Sequence, residues 1–327
     1  MKYLILGSSG FVAQHYIKHL EKNKSIKIIG LDINEPVGKK SKNLEFIKSS
    51  LLDRTSLKKI LINTNPNYII HLAAHSSVAF SWNHPYESFT NNIYCFLNLI
   101  EELRILKSNA KVLLVGSSEE YGQVKSTHIP LKEITNLNPL NPYAISRATQ
   151  EQLAKVYTNV YGINIISTRS FNHIGPNQPS HFVVSSFIKQ AVEIKFGLRK
   201  NLTCGNIEII RDFIDVRDVV ISYDLLLKFG KPGEIYNICS GKGYALKEII
   251  NMIKKIIKID FDTVVDNSLI RPIDNQIIIG SNQKLIDATG FNQNYCIKKS
   301  LIDMIKIETD RIQYAYNMNG LYGISNI

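Results

Sequence analysis

An α/β fold with a doubly wound parallel sheet is predicted for this chain on three observations. Short apolar runs alternate with longer amphipathic patterns from the first residue to about residue 171. That alternation favours parallel strands joined by right-handed helical crossovers. Small residues, Gly7, Gly10 and Ala13, occupy the turn between the first run and the first amphipathic stretch, where a Rossmann-type sheet lets a ligand approach the backbone.

The elements follow in order. "KYLILG" is a buried strand and "GFVAQHYIKHLEKN" a helix; "IKIIGLDI" is a strand, "TSLKKILINT" a helix and "PNYIIHLAA" a strand. "NNIYCFLNLIEELRIL" carries apolar residues at helical spacing and "AKVLLVGSS" is again a continuous apolar strand. "PYAISRATQEQLAKVYTNVYG" starts as helices start, with Asn141 suited to the N-cap and Pro142 to the first helical position. "NIISTRSFN" is the next strand. Beyond residue 172 the order loosens into loops rich in Gly, Pro and Asn (175–179 and 197–206), broken by helices "VVSSFIKQAVEIKFG" and "RDVVISYDLLLKFG", a strand "EIYNIC" and a helical C-terminal part. The expected division is a dinucleotide-binding domain over 1–171, to which 218–240 return, and a smaller lobe from 172–217 and 241–327.

The formal charge of +11 raises nucleic acid as a partner. The lysines are scattered as on solvated helix faces, without a basic run interleaved with aromatics, so nucleic acid is not expected; the positive field suits a diphosphate-bearing ligand better. Four distant cysteines (Cys95, Cys204, Cys239, Cys296) fit buried thiols of a reducing compartment, with no disulfide framework and no metal site. No run is long enough for a membrane span, and "MKYLILGSSG" is too short for a signal peptide. A cytoplasmic protein is the expectation.

The Gly7-x-x-Gly10 turn places free N–H groups at a helix start, which favours a pyrophosphate. Asp32 ends the second strand, where a carboxylate binds adenosine ribose hydroxyls and repels a 2′-phosphate; it could also cap a loop. This favours NAD over NADP. Asp53 fits either an adenine-side position or a helix N-cap. Ser117, Ser118, Glu119 and Glu120 follow a strand end, where open α/β sheets place ligands. Tyr143 and Arg147 stand at i and i+4 on one helix face. A fixed cation there stabilises a phenolate and lets Tyr143 move a proton near neutral pH.

The Gly loop, "HLAAHS", "SSEEYG" and "YAISR" together resemble the extended short-chain dehydrogenases/reductases. Within that superfamily, "RSFNHIGPNQPSHFVVSSFIKQ", "RDFIDVRDVV", "GEIYNICSGKGYALKEI" and "RPIDNQIIIGSNQKL" are similar to the GDP-4-keto-6-deoxy-D-mannose reductases and, less, to the GDP-mannose 4,6-dehydratases. The resemblance spans nearly the whole chain. It implies dinucleotide contacts from Gly7, Ser9, Gly10, Phe11, Asp32, Leu52, Asp53, Leu72, Ala73, Ala74, Tyr143 and Arg147. Ser117 and Tyr143 would meet the sugar C4 oxygen. Ser118, Asn172, Val183, Lys189, Arg211 and Arg271 would hold a GDP-sugar, the arginines near its diphosphate.

The implied activity is NAD(P)-dependent C4 reduction of a GDP-4-keto-6-deoxyhexose to a product such as GDP-D-rhamnose. Two alternatives are C4 dehydrogenation of a GDP-hexose or GDP-heptose and 4,6-dehydration; Glu119 stands where the dehydratases carry an acid/base Glu. A non-catalytic dinucleotide-binding protein is a third, because Arg147 replaces the usual lysine. Arg147 is expected to bind the nicotinamide ribose and to tune Tyr143 less well. Cys95 and Phe96 stand where relatives often carry Gly and Thr. A homodimer is implied, through the helices that carry Phe96 and Tyr143. Ile93, Phe96, Leu97, Ile100 and Leu103 could serve that contact or the core. Trp82 and His84 could line the sugar pocket or anchor a loop, and His173 and His181 are equally open.

Overall fold

The computed structural model describes residues 1–36, 43–270 and 275–322. Its strands are β1 (Lys2–Leu6), β2 (Lys27–Asp32), β3 (Leu44–Lys48), β4 (Tyr68–His71), β5 (Lys111–Ser117), β6 (Ile165–Ser170), β7 (Asn172–Ile174), β8 (Leu202–Cys204), β9 (Ile210–Asp215), β10 (Ile235–Ile238), β11 (Gly243–Ala245), β12 (Thr263–Val265) and β13 (Ile277–Ile278). The helices are α1 (Phe11–Leu20), α2 (Arg54–Thr64), α3 (Val78–Asn83), α4 (Pro85–Phe89), α5 (Cys95–Ile105), α6 (Pro142–Tyr161), α7 (Val183–Lys195), α8 (Val216–Phe229), α9 (Leu246–Ile257), α10 (Gln283–Thr289) and α11 (Ile297–Tyr322).

Seven parallel strands form the main sheet in the order β10-β6-β5-β4-β1-β2-β3. The order reverses between β1 and β4, so a crevice opens beyond their C-terminal ends. Alternation along β1 feeds two cores. Tyr3 and Ile5 pack with Tyr16 and Ile17 of α1 and Val219, Tyr223 and Leu226 of α8. Leu4 and Leu6 pack on the other face with Leu57 of α2, Phe96 and Leu99 of α5, and Ala154 of α6.

A third core joins α7, α9 and α11 through Phe187, Ile188, Ile249, Ile253 and Leu301. It lies beside a smaller sheet in which β11 and β13 flank β9 and β7 also pairs with β9. α8 packs on α1, and β10 pairs in parallel with β6.

Some expectations change. Residues 90–94, read as ordinary helix, form a π-turn at the head of α5. The 197–206 loop contains β8, which pairs with β12. Cys95, Cys204 and Cys239 are buried free thiols, but Cys296 is exposed, so it is not a core residue. Phe96, Ile100 and Leu103 are fully or almost fully buried within the core beneath α5. The apolar side chains exposed on these helices are instead Ile145, Val156, Val160 and Tyr161 of α6, with Ile105 of α5 and the preceding Tyr94. No helix among the described residues is long and apolar enough to cross a membrane.

Candidate active site

Gly7 takes a left-handed φ of 83°, and a Cβ there would stand 2.6 Å from the Ala73 backbone nitrogen. This turn therefore lies directly against the segment after β4 that holds Leu72, Ala73 and Ala74. Gly10 is the N-cap of α1 and supplies no side-chain acceptor, which leaves the helix start, with Phe11 first, open to an anion. Asp32 accepts the Ser9 N–H at 2.9 Å through one oxygen and the Asn34 N–H at 3.0 Å through the other. It thus serves the local loop and, with lone pairs remaining, still suits a ribose. A close-approach turn, an uncapped helix start and a fixed carboxylate fit a dinucleotide. Asp53 is the N-cap of α2: it accepts the Ser56 N–H at 3.0 Å and the Ser56 hydroxyl at 2.6 Å. The exposed Leu52 precedes it.

The Asn141 side-chain oxygen Oδ1 accepts the Ala144 N–H at 2.8 Å, and its side-chain Nδ2 donates to Glu119 Oε2 at 3.1 Å. This cap fixes the first turn of α6, where Tyr143 is 6% exposed and Arg147 4% exposed. The Arg147 Cζ lies 5.3 Å from the Tyr143 ring centroid, within range of a cation–π attraction. Arg147 Nη1 donates to the Val115 carbonyl at 2.9 Å and to Gln150 Oε1 at 3.0 Å. Ser117 and Ser118, both 8% exposed, sit where β5 passes into a 3₁₀ turn.

A cleft beside this helix is lined by Ser118, Glu119, Asn141, Asn172 and Arg211, with Val78, Trp82 and Ile278 as apolar wall. Trp82 therefore lines the pocket. His84 instead stacks on Phe80 at 4.6 Å and lies 3.6 Å from Glu87. Val183 begins α7, and Lys189 further along it is exposed, 3.9 Å from Glu193; neither lines the cleft. Arg271 lies outside the described residues. A wider groove of about 600 Å³ sits at the opposite ends of β4 and β5, lined by side chains such as Asn65, Asn67, Lys107 and Asn109; it holds no comparable set of chemical groups.

His71 ends β4 fully buried, with neither ring nitrogen hydrogen-bonded. Burial, then the Arg147 charge, lower its pKa to about 3, so it stays neutral and is no base. His173 is lowered to about 4 by burial, and His181 stacks on Phe182 at 4.3 Å. Among the described residues, no three His, Cys, Asp or Glu side chains are placed to hold a metal.

Sequence reading gave no role of its own to three residues of this region. Glu120 is fully buried and clamps Ser117; the spacing Ser117-x-x-Glu120, a capping box, carried that signal. Gln150, three residues after Arg147, meets it on one helix face. Asn275 holds the turn beneath the cleft, donating to the Gly122 carbonyl at 2.7 Å and accepting the Val124 N–H at 3.0 Å; no sequence signal marks it.

Fold and site together define a dinucleotide-dependent oxidoreductase of the extended short-chain dehydrogenase/reductase type. The chain belongs to the GDP-mannose 4,6-dehydratase family, whose description, "GDP-mannose 4,6 dehydratase", matches residues 4–304. It is 34% identical over 237 residues to GDP-6-deoxy-D-mannose reductase of Pseudomonas aeruginosa, covering 72% of this chain and 78% of that one. It is 26% identical over 305 residues to GDP-6-deoxy-D-talose 4-dehydrogenase of Aggregatibacter actinomycetemcomitans, covering 93% and 96%. The solved structure of RMD from Pseudomonas aeruginosa complexed with NADPH superposes with a TM-score of 0.84 at 31% identity, over 95% of this chain and 100% of that one.

Proposed function

We propose that this protein reduces the C4 keto group of a GDP-4-keto-6-deoxyhexose, giving a GDP-6-deoxyhexose such as GDP-D-rhamnose. The observation that carries this reading is the first turn of α6, where Tyr143 lies beside the buried Arg147 charge and the Asn141 cap is bonded to Glu119 at the cleft. The similarity to GDP-6-deoxy-D-mannose reductase supports the substrate class. A reduced nicotinamide, when bound, would supply the hydride to C4. Tyr143 donates its phenolic proton to the C4 oxygen, and Ser117 holds that oxygen by a hydrogen bond. The Arg147 guanidinium, its Cζ 5.3 Å from the Tyr143 ring centroid, places a positive charge beside the phenolate left behind. Arg211 and Arg271 hold the diphosphate; Ser118 and Asn172, which line the cleft, complete the substrate side. Residues 1–171 with 218–240 form the dinucleotide domain, and 172–217 with 241–327 the nucleotide-sugar lobe.

Asp32 supports NADH over NADPH, since a 2′-phosphate would meet a carboxylate already fixed in place. The exposed apolar row on α6, with Tyr94 and Ile105, supports a homodimer formed through α5 and α6. The cytoplasm, where nucleotide sugars are made, is the compartment that fits three buried free thiols.

One observation favours a second reading. Glu119 places a carboxylate at the cleft, as C5 proton abstraction in a 4,6-dehydration needs; the 26% identity to a GDP-6-deoxy-D-talose 4-dehydrogenase supports C4 oxidation as the reverse direction. Mass analysis of GDP-4-keto-6-deoxymannose, GDP-mannose and a GDP-heptose after incubation with NADH or NAD separates these. Gain of two hydrogens on the ketone supports the reductase. Loss of water from GDP-mannose identifies a dehydratase, and loss of two hydrogens alone a dehydrogenase.

A further inference from the structure

We propose that Gln150 is a positioning residue that holds the Arg147 guanidinium in place and adapts the site to arginine. This rests on the reading of Tyr143 and Arg147 as active-site residues. Gln150 is fully buried, as is Asn92. Its Oε1 accepts Arg147 Nη1 at 3.0 Å, and its Nε2 donates to the Asn92 carbonyl at 2.5 Å. Asn92 lies in the π-turn over 90–94, where the wider backbone spacing leaves a carbonyl for a side chain to take.

The Asn92 side chain is itself fixed. It accepts the His75 N–H at 2.9 Å and donates to Ser146 Oγ at 2.9 Å and to the His75 carbonyl at 3.3 Å. Gln150 thus ties the guanidinium to the π-turn before α5, which is anchored both to α6 and to the segment after β4. The second acceptor of Nη1, the Val115 carbonyl, belongs to β5. Held by two acceptors, Nη1 is committed, while Nε is buried without a partner.

A lysine could not use this arrangement. Its ammonium ends where the arginine Cζ stands, one bond short of Nη1, and offers no planar fork. Gln150 Oε1 would then lack its charged donor inside the protein, which is costly. The amide and the guanidinium therefore form one functional unit, and Gln150 acts on the site through Arg147.

The experiment is a double-mutant cycle on the full chain with Arg147→Lys, Gln150→Leu and the double variant, with Gln150→Met as a nearly equal-volume second choice. NADH affinity is read by fluorescence without any sugar, and the pH profile of kcat/KM separately; thermal melts identify folded variants. Gln150→Leu is expected to weaken NADH binding about tenfold and to move the profile's tyrosine limb upward. In the Arg147→Lys background the same change should alter affinity by less than about twofold. Additive effects in the two backgrounds, or an unmoved affinity and pH profile in folded Gln150→Leu and Gln150→Met, overturn the assignment of Gln150 alone. A wild-type chain that binds no dinucleotide overturns the reading of the site, and this inference with it.

Discussion

Glu120 accepts the backbone N–H of Ser117 at 2.6 Å through one carboxylate oxygen, while the other is buried without a partner. Burial, and after it the Glu151 carboxylate, raise its pKa to about 8, against the opposing charges of Arg169 and Arg147. The folded chain therefore binds a proton that the unfolded chain releases near pH 4.5. Stability attributable to this proton is present at low pH and is lost as pH rises toward 8. Glu120→Gln keeps the acceptor for Ser117 and removes the titration. Its advantage over wild type should grow between pH 5 and 8, by at most about 1.4 kcal/mol per pH unit. Urea midpoints at three pH values test this; an offset that does not change with pH contradicts it.

Tyr143→Phe removes only the phenolic oxygen from a buried ring. Turnover should fall by roughly 10²–10⁴-fold, the usual contribution of a positioned proton donor. Dinucleotide affinity should stay within a few-fold, because the ring still packs near Arg147. Single-turnover rates and NADH titrations measure the two separately, and a variant that retains most of its turnover removes Tyr143 from the chemistry.

Asp32→Asn takes away the charge and keeps an oxygen for one of the two N–H groups it serves. Preference for NADH over NADPH should drop by about tenfold, the equivalent of ~1.4 kcal/mol. The ratio of kcat/KM for the two cofactors reads this directly. An unchanged ratio would mean that the carboxylate is only a loop fastener for Ser9 and Asn34.

Val156 and Val160 are 50% and 67% exposed on α6. Their joint replacement by Glu should convert a dimer into a monomer in light scattering, with an unchanged melting profile at low concentration. If the wild-type chain is monomeric at tens of micromolar (on the order of the Kd separating weak from stable association), the apolar row is not a dimer contact.

Much of the sheet was legible because β1, β4 and β5 are covered on both faces and so read as largely apolar runs. The smaller sheet was not. β9 has the sequence Ile-Arg-Asp-Phe-Ile-Asp, and its Arg211, Asp212 and Asp215 are buried. Asp212 accepts the backbone N–H groups of Ser240 and Gly241 and the Ser240 hydroxyl, partners far along the chain that no local pattern announces.

The same distinction applies at the site. Tyr143 and its cap were readable because helix starts follow local rules. Glu120 was legible only through the Ser117-x-x-Glu120 capping-box spacing, since two adjacent carboxylates after a strand otherwise look alike. Asn92 was hidden because a π-turn depends on the tertiary partners that take its displaced carbonyl. Arg147 was legible as a departure from a lysine, but the acceptors that accommodate it come from β5 and from the next turn of its own helix.

Asn141 joins the first turn of α6 to Glu119, at the end of β5. An α-helix advances about 100° per residue, so a slip of one position would turn the Tyr143 side chain away from its buried seat beside Arg147. The clip sets the angular phase of the helix at its first residue, next to the strand it must face. The connection over 123–140 is fastened elsewhere: the buried Leu131 bridges to Gly280 and Glu133 accepts the Asn237 N–H.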